Sequence, residues 1–279
     1  MRGRCGWLGA VVVMSSITVS LPGAQGQTSS CGIDVNCEIE NGYYRALPPP
    51  DWDGVSPLPL VVYYSGWGGT PEKVLRNRPM INAAHARGAL FVAPYAPGGY
   101  WRQIGEGRAE YGRDELAYVH ALMDDLKARY PIDETRTLAT GFSRGASMVW
   151  NIACYAGDLF TAYAPIAGGF WRSTPQDCPT GPVNLRHIHG TADTVVAYDE
   201  IGIYNSMPIP EGLDVLTRIA QCTDQPVAVS TPTDRYACQA WTTCTTGATI
   251  EICLHERGHS IPAEWVSHGF DWMVSLQDD

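Results

Sequence analysis

The sequence contains no Cys-x-x-Cys pair, no run of basic residues and, beyond its N-terminus, no apolar stretch long enough to cross a bilayer. The first absence argues against a structural zinc site, whose thiolates usually come in such pairs. The second argues against nucleic acid and anionic lipid as partners. With 19 Lys and Arg against 29 Asp and Glu, the chain carries a formal net charge of −10 and repels polyanions. No short repeat is present, which removes collagen-like and coiled-coil readings. No low-complexity tract or linker divides the chain. Its 45% apolar and 17% charged residues place it among chains that collapse around a core rather than stay disordered.

The first 26 residues read as a secretory signal peptide. Arg2 and Arg4 make a positive start, Trp7 to Leu21 is mostly apolar, and Ala24-Gln25-Gly26 supplies the small residues of a cleavage site after Gly26. Ser15, Ser16, Thr18 and Ser20 interrupt the apolar run, which is short for a membrane span. The expectation is an exported protein, extracellular or periplasmic, with no membrane attachment after cleavage. Residues 27–279 then form one domain, at the long end of the roughly 150 residues usual for one.

Cysteine usage agrees with export. Cys5 leaves with the signal peptide, and Cys31, Cys37, Cys154, Cys178, Cys222, Cys238, Cys244 and Cys253 remain. An even set in an exported chain reads as four disulfides and no metal. Cys31 with Cys37 would close a short N-terminal loop, and Cys154 with Cys178 would tie a helix to a following loop. The last four allow three connectivities, which spacing does not separate.

Strand-like and helix-like segments alternate. Tyr43–Leu47, Leu58–Tyr64, Ala89–Ala93, Thr135–Thr140, Phe160–Ala167, Val183–His189 and Ala248–Leu254 read as strands. Pro71–Arg87, Asp114–Tyr130, a segment reaching Tyr155, Gly212–Gln221 and Pro262–Leu276 read as helices. Such alternation predicts an α/β fold, with a mostly parallel central sheet and helices on both faces. Tyr95–Arg108 is a glycine-rich, aromatic loop that could contact substrate.

Gly141-Phe142-Ser143-Arg144-Gly145 fits Gly-x-Ser-x-Gly, between a predicted strand and a predicted helix. On that sharp turn the hydroxyl of Ser143 stands clear of the sheet and the helix N-terminus directs N–H groups at a reacting oxygen. A serine nucleophile needs a histidine base oriented by a carboxylate. In this chain order the acid and then the base follow the serine. His259, in Gly258-His259-Ser260, lies between the last strand and the closing helix, on the sheet edge where α/β folds place ligands. His255 is its rival. Asp193, in His189-Gly190-Thr191-Ala192-Asp193, follows a strand onto the same edge, and Asp199 is the alternate. Ser65-Gly66-Trp67-Gly68-Gly69 can turn back toward the nucleophile, so the N–H groups of Trp67 and Arg144 are the candidate oxyanion donors. Trp67, Trp101 and Trp171, at or just beyond strand ends, are candidates for stacking on a flat acyl group. The side chain of Arg144 could contact substrate or pair with an acidic neighbour. No cofactor is called for.

Together, Gly-Phe-Ser-Arg-Gly around Ser143, His-Gly-Thr-Ala-Asp-Thr-Val-Val around Asp193 and Gly-His-Ser-Ile-Pro around His259 resemble the secreted esterases grouped with feruloyl esterases and polyhydroxybutyrate depolymerases. The resemblance runs from about Cys31 to the C-terminus. It implies an α/β-hydrolase fold and serine esterase chemistry on plant cell-wall polysaccharide esters, feruloyl or related, or on polyester. Two positions depart from the pattern: Ser65-Gly66 replaces a His-Gly, and Ala146 replaces a common glycine. The first could change how the oxyanion loop is supported while leaving its backbone donors in place. An exported serine peptidase and a non-catalytic binding protein are the competing readings. The sequence carries no signal for oligomeric state.

Overall fold

A computed structural model describes residues 1, 3, 31, 32, 34–102 and 112–277. The signal-peptide segment, but for residues 1 and 3, and positions 103–108 of the aromatic loop lie outside the described residues. Among the described residues ten strands form one sheet. In chain order they are β1 (Cys37–Ile39), β2 (Gly42–Leu47), β3 (Leu58–Tyr64), β4 (Leu90–Pro94), β5 (Ile132–Phe142), β6 (Ala162–Ile166), β7 (Leu185–Gly190), β8 (Val227–Val229), β9 (Ala237–Trp241) and β10 (Ile250–His255). The spatial order is β1-β2-β4-β3-β5-β6-β7-β10-β9-β8. From β4 to β10 the neighbours run parallel, and the pairs at either end are antiparallel.

The central strands are apolar along their whole length because both faces are covered. In β3, Leu58, Leu60, Val62 and Tyr64 enter one core while Val61 and Tyr63 enter the other. The first core lies under α3 (Glu115–Arg129), α4 (Arg144–Tyr155) and α5 (Ile209–Ile219), the second under α2 (Arg78–His85) and α6 (Glu264–Ser275).

The helix expected over Pro71–Arg87 is two. A short α1 (Pro71–Val74) ends, and α2 restarts at Arg78 with the Asn77 side chain accepting from the Met80 N–H at 3.3 Å. Pro79 has no N–H to continue a ladder from α1 and fits the first turn of a new helix. Strands β1, β8 and β9 were not expected. Two are only three residues long and β9 alternates exposed and buried, so neither carries a buried strand's apolar run.

Among the described residues four disulfides are formed. Cys31–Cys37 and Cys154–Cys178 match the expected pairs, and the remaining connectivity is Cys222–Cys244 and Cys238–Cys253. Cys238 and Cys253 are directly opposed on neighbouring antiparallel strands β9 and β10. A chain lacking residues 1–26, unfolded without reductant, should therefore titrate with no free thiol. Reduction should lower its Tm, since each bridge contributes about 2–4 kcal/mol by restricting the unfolded chain. Two or more free thiols in the oxidised protein would contradict these pairings.

Candidate active site

Strand β5 runs straight into the turn that carries Ser143. Ser143 adopts φ 55° and ψ −122°, a left-handed conformation that side-chain-bearing residues rarely take. The next residue opens α4. The Ser143 N–H donates to the Ile166 carbonyl at 3.0 Å, which ties the turn to β6. The glycines of the motif have steric work to do. A Cβ on Gly145 would sit 1.9 Å from the Tyr64 carbonyl oxygen, and one on Gly141 would sit 2.6 Å from the same atom.

The loop after β3 lies against this turn. A Cβ on Gly66 would be 3.4 Å from that of Ser143, so Trp67 follows one residue after this close approach. Gly69 N–H donates to Gly66 O and Gly68 N–H to Gly99 O. Among the described residues the Trp67 N–H donates to no backbone carbonyl. Arg144, at the first position of α4, directs its N–H out of the helix end rather than into the ladder.

Asp193 and His259 meet. His259 Nδ1 lies 2.7 Å from Asp193 Oδ2. The other carboxylate oxygen, Oδ1, accepts from the N–H groups of Val195 and Val196, both at 2.9 Å. Burial pushes the Asp193 carboxyl up, but the hydrogen bonds from His259, Val196 and Val195 outweigh it and hold the group below the usual carboxylate value. An ionised Asp193 fixes the proton of His259 on Nδ1, which leaves Nε2 as the basic nitrogen. The His259 ring packs on Phe142, the residue before Ser143, with centroids 4.6 Å apart. Backbone bonds from Thr191 N–H to His255 O and from Ala192 N–H to Arg257 O tie the acid and base loops together.

The rival residues are placed elsewhere. His255 is buried against Trp265, and its Nδ1 accepts from the Arg257 N–H at 3.1 Å. Asp199 is exposed. Of the aromatic candidates, Trp101 is 1% exposed and donates its indole N–H to Ser65 O at 2.8 Å, which makes it a strut behind the Ser65–Gly69 loop rather than an open stacking surface. Trp171 is also buried, whereas Trp67 is 64% exposed. The Arg144 side chain turns inward. It is buried, donates to Trp101 O at 2.7 Å and to the Tyr100 hydroxyl at 2.9 Å, and packs over the rings of Tyr100 and Trp171. These contacts belong to a closed ring, because Trp67 also meets Tyr100 and Tyr204, and Tyr204 stacks on Trp171. Tyr204, 60% exposed and at φ 68°, was missed by sequence reasoning, since no local pattern marks a residue presented by a strained loop.

Known proteins resemble this arrangement. No family model matches the chain. A probable feruloyl esterase C of Aspergillus niger is 27% identical over 169 residues, 58% of each chain. A probable feruloyl esterase C of Aspergillus clavatus is 24% identical over 204 residues, 68% of this chain and 70% of that one. The chain thus spans little more than half of the first relative's length. Among solved structures, an acetyl xylan esterase from Aspergillus awamori superimposes with a TM-score of 0.59 at 15% identity, covering 81% of this chain and 94% of that one. The chain has the α/β-hydrolase fold and is similar over part of its length to esterases. The expected fold class, a mostly parallel sheet with helices on both faces, is the observed one.

Two further histidines, His187 and His189 on β7, lie buried beneath the Asp193 loop. Burial brings His189 from the usual 6.5 down to about 4, and burial with the neighbouring His189 takes His187 well below its usual value. Between about pH 4 and 6.5 the unfolded chain therefore binds more protons than the folded one. The contribution is fully present above the usual histidine value and is lost as pH falls toward the folded value. For His189 alone this is about 3 kcal/mol. Thermal unfolding should show Tm falling as pH is lowered from 7 to 4. A flat profile would contradict a neutral buried pair.

Proposed function

We propose that residues 27–279 form one catalytic domain of an exported serine carboxylesterase that hydrolyses feruloyl or related aromatic esters on plant cell-wall polysaccharide. The contact between Asp193 and His259 at 2.7 Å, beside a strained turn that presents Ser143, carries this reading. The names of the relatives support it, and the four disulfides agree with export. Among the described residues no helix is long and apolar enough to cross a membrane.

In this reading Ser143 Oγ attacks the ester carbonyl carbon while His259 Nε2 takes its proton. The carbonyl oxygen becomes an oxyanion that accepts from the N–H groups of Trp67 and Arg144. Asp193 stabilises the imidazolium so formed. His259 then delivers its proton to the departing alkoxide, which leaves an acyl-serine. A water molecule, deprotonated by His259, attacks the acyl carbon, and the acid and free Ser143 are released. Neither metal nor cofactor takes part. The exposed face of Trp67, extended by Tyr204, stacks on the aromatic or sugar part of the substrate. The buried Arg144 holds the aromatic ring of side chains in place without touching substrate.

A panel of methyl esters with a common alcohol tests both levels of this reading. Methyl ferulate should be cleaved with a kcat/KM about tenfold or more above methyl acetate, as burial of an extra ring at about 25 cal/mol per Å2 implies. Ser143→Ala should lose at least about a thousandfold in activity with an unchanged Tm. A Ser143→Ala variant within tenfold of wild type would remove the assignment. Faster cleavage of hydroxybutyrate esters would turn the substrate reading to polyester.

A further inference from the structure

The buried pair His187 and His189 is not used by the chemistry above, yet its hydrogen bonds lead to the acid. The Trp150 indole N–H can only donate, and it lies 3.4 Å from His187 Nδ1. His187 Nδ1 is then the acceptor, so His187 carries its proton on Nε2. That nitrogen is 2.8 Å from His189 Nδ1. His189 Nδ1 is therefore also an acceptor, and its proton sits on Nε2. His189 Nε2 lies 2.8 Å from the Val196 carbonyl oxygen, which can only accept. These three contacts run in one direction, from the indole on α4 to the loop that carries Asp193.

The chain ends on a peptide that the acid also uses. Val196 donates its N–H to Asp193 Oδ1, and its carbonyl is held by His189. With the Val195 N–H on the same oxygen, Oδ1 is taken up by the loop and Oδ2 is left facing His259. His189 Nε2 is 3.8 Å from Oδ2, too far for a direct hydrogen bond, so its hold on the carboxylate runs through Val196. We propose that His189, backed by His187 and Trp150, is a positioning residue that fixes the Asp193 carboxylate toward His259 by anchoring the Val196 peptide. This rests on the assignment of Asp193 and His259 as acid and base.

The groups facing His189 define what could disturb it. They are His187 on the same strand, Asp193, Tyr198 with ring centroids 5.8 Å away, His255 at the end of β10 and His259 in the loop after it. A proton added at His189 Nδ1 would point at the His187 N–H and break the chain. Burial opposes that proton as well, so the anchor stays in its neutral form near neutral pH.

Replacement of His189 tests the inference at two levels. His189→Leu removes the donor to Val196. On methyl ferulate it should lower kcat about tenfold or more, because a small misplacement of a catalytic group is costly, while KM changes less than about threefold. The midpoint of the pH–rate profile should move to lower pH as the imidazolium loses its fixed carboxylate. His189→Gln, whose amide can donate to Val196 O, should recover most of kcat and restore the midpoint. A fall in Tm with kcat and midpoint unchanged would mean a merely structural role and overturn the proposal. Where His189→Leu does not fold, nitrogen-15 NMR of the wild-type chain decides. Both His187 and His189 should show the Nε2–H tautomer and should not titrate between pH 5 and 8. A proton on Nδ1 of His189 would overturn the proposal. Should the wild-type chain cleave none of the esters, the catalytic reading fails, and the NMR titration of His259 separates the two ideas. An equal midpoint in wild type and His189→Leu then counts against the anchor, and a lower one in His189→Leu upholds it.

Discussion

Backbone meets backbone where β3 passes the Ser143 turn, and the rest of the site depends on that approach. The Tyr64 carbonyl occupies the space that side chains at Gly141 and Gly145 would need. From the other side, a Cβ on Gly168 would come within 2.2 Å of the Ser143 carbonyl oxygen. Such closeness forces β5 to turn sharply into α4 and holds Ser143 at a positive φ that it would not choose alone. It also brings the Ser65–Gly69 loop, which continues β3, beside Ser143. The candidate oxyanion donors thus come from two segments far apart in sequence and adjacent through one close contact.

Around this contact the protein divides polar burial into two kinds. Asp193 is a buried charge that is fully hydrogen-bonded, by two peptide N–H groups and by His259, which is the condition under which such a charge is tolerable. His187 and His189 are buried bases kept neutral, each satisfied by a partner of defined role. Arg144 is a buried cation held in part by aromatic faces, a carbonyl and a phenol. The same rings pass from buried Trp171 to exposed Tyr204 and Trp67, so a rigid support underlies the surface that faces solvent.

Much of this was legible in the linear sequence. The alternation of apolar strands and amphipathic helices predicts an α/β sheet because both faces of a parallel sheet must be covered. Ser143, Asp193 and His259 could be named because each follows a predicted strand, and parallel strands deliver all such loops to one edge. The Cys31–Cys37 and Cys154–Cys178 pairs follow from closeness along the chain. Short or half-exposed elements were not legible. Strands β1, β8 and β9 have too few buried positions to stand out, and the split between α1 and α2 turns on a single proline.

Composition and spacing determined the class of fold, the export-like cysteine set and the identity of the candidate triad, because these depend on local periodicity and on chain order. Tertiary structure decided what depends on distance between remote segments. It paired Cys222 with Cys244 and Cys238 with Cys253, where the residues' own spacing allowed three answers. It turned His255 toward Trp265 and left His259 to Asp193. It buried Trp101 and Trp171, exposed Trp67 and brought Tyr204 beside it. Two residues with the same sequence pattern take different roles once packing assigns one to the core and the other to the surface, and packing is a property of the assembled chain.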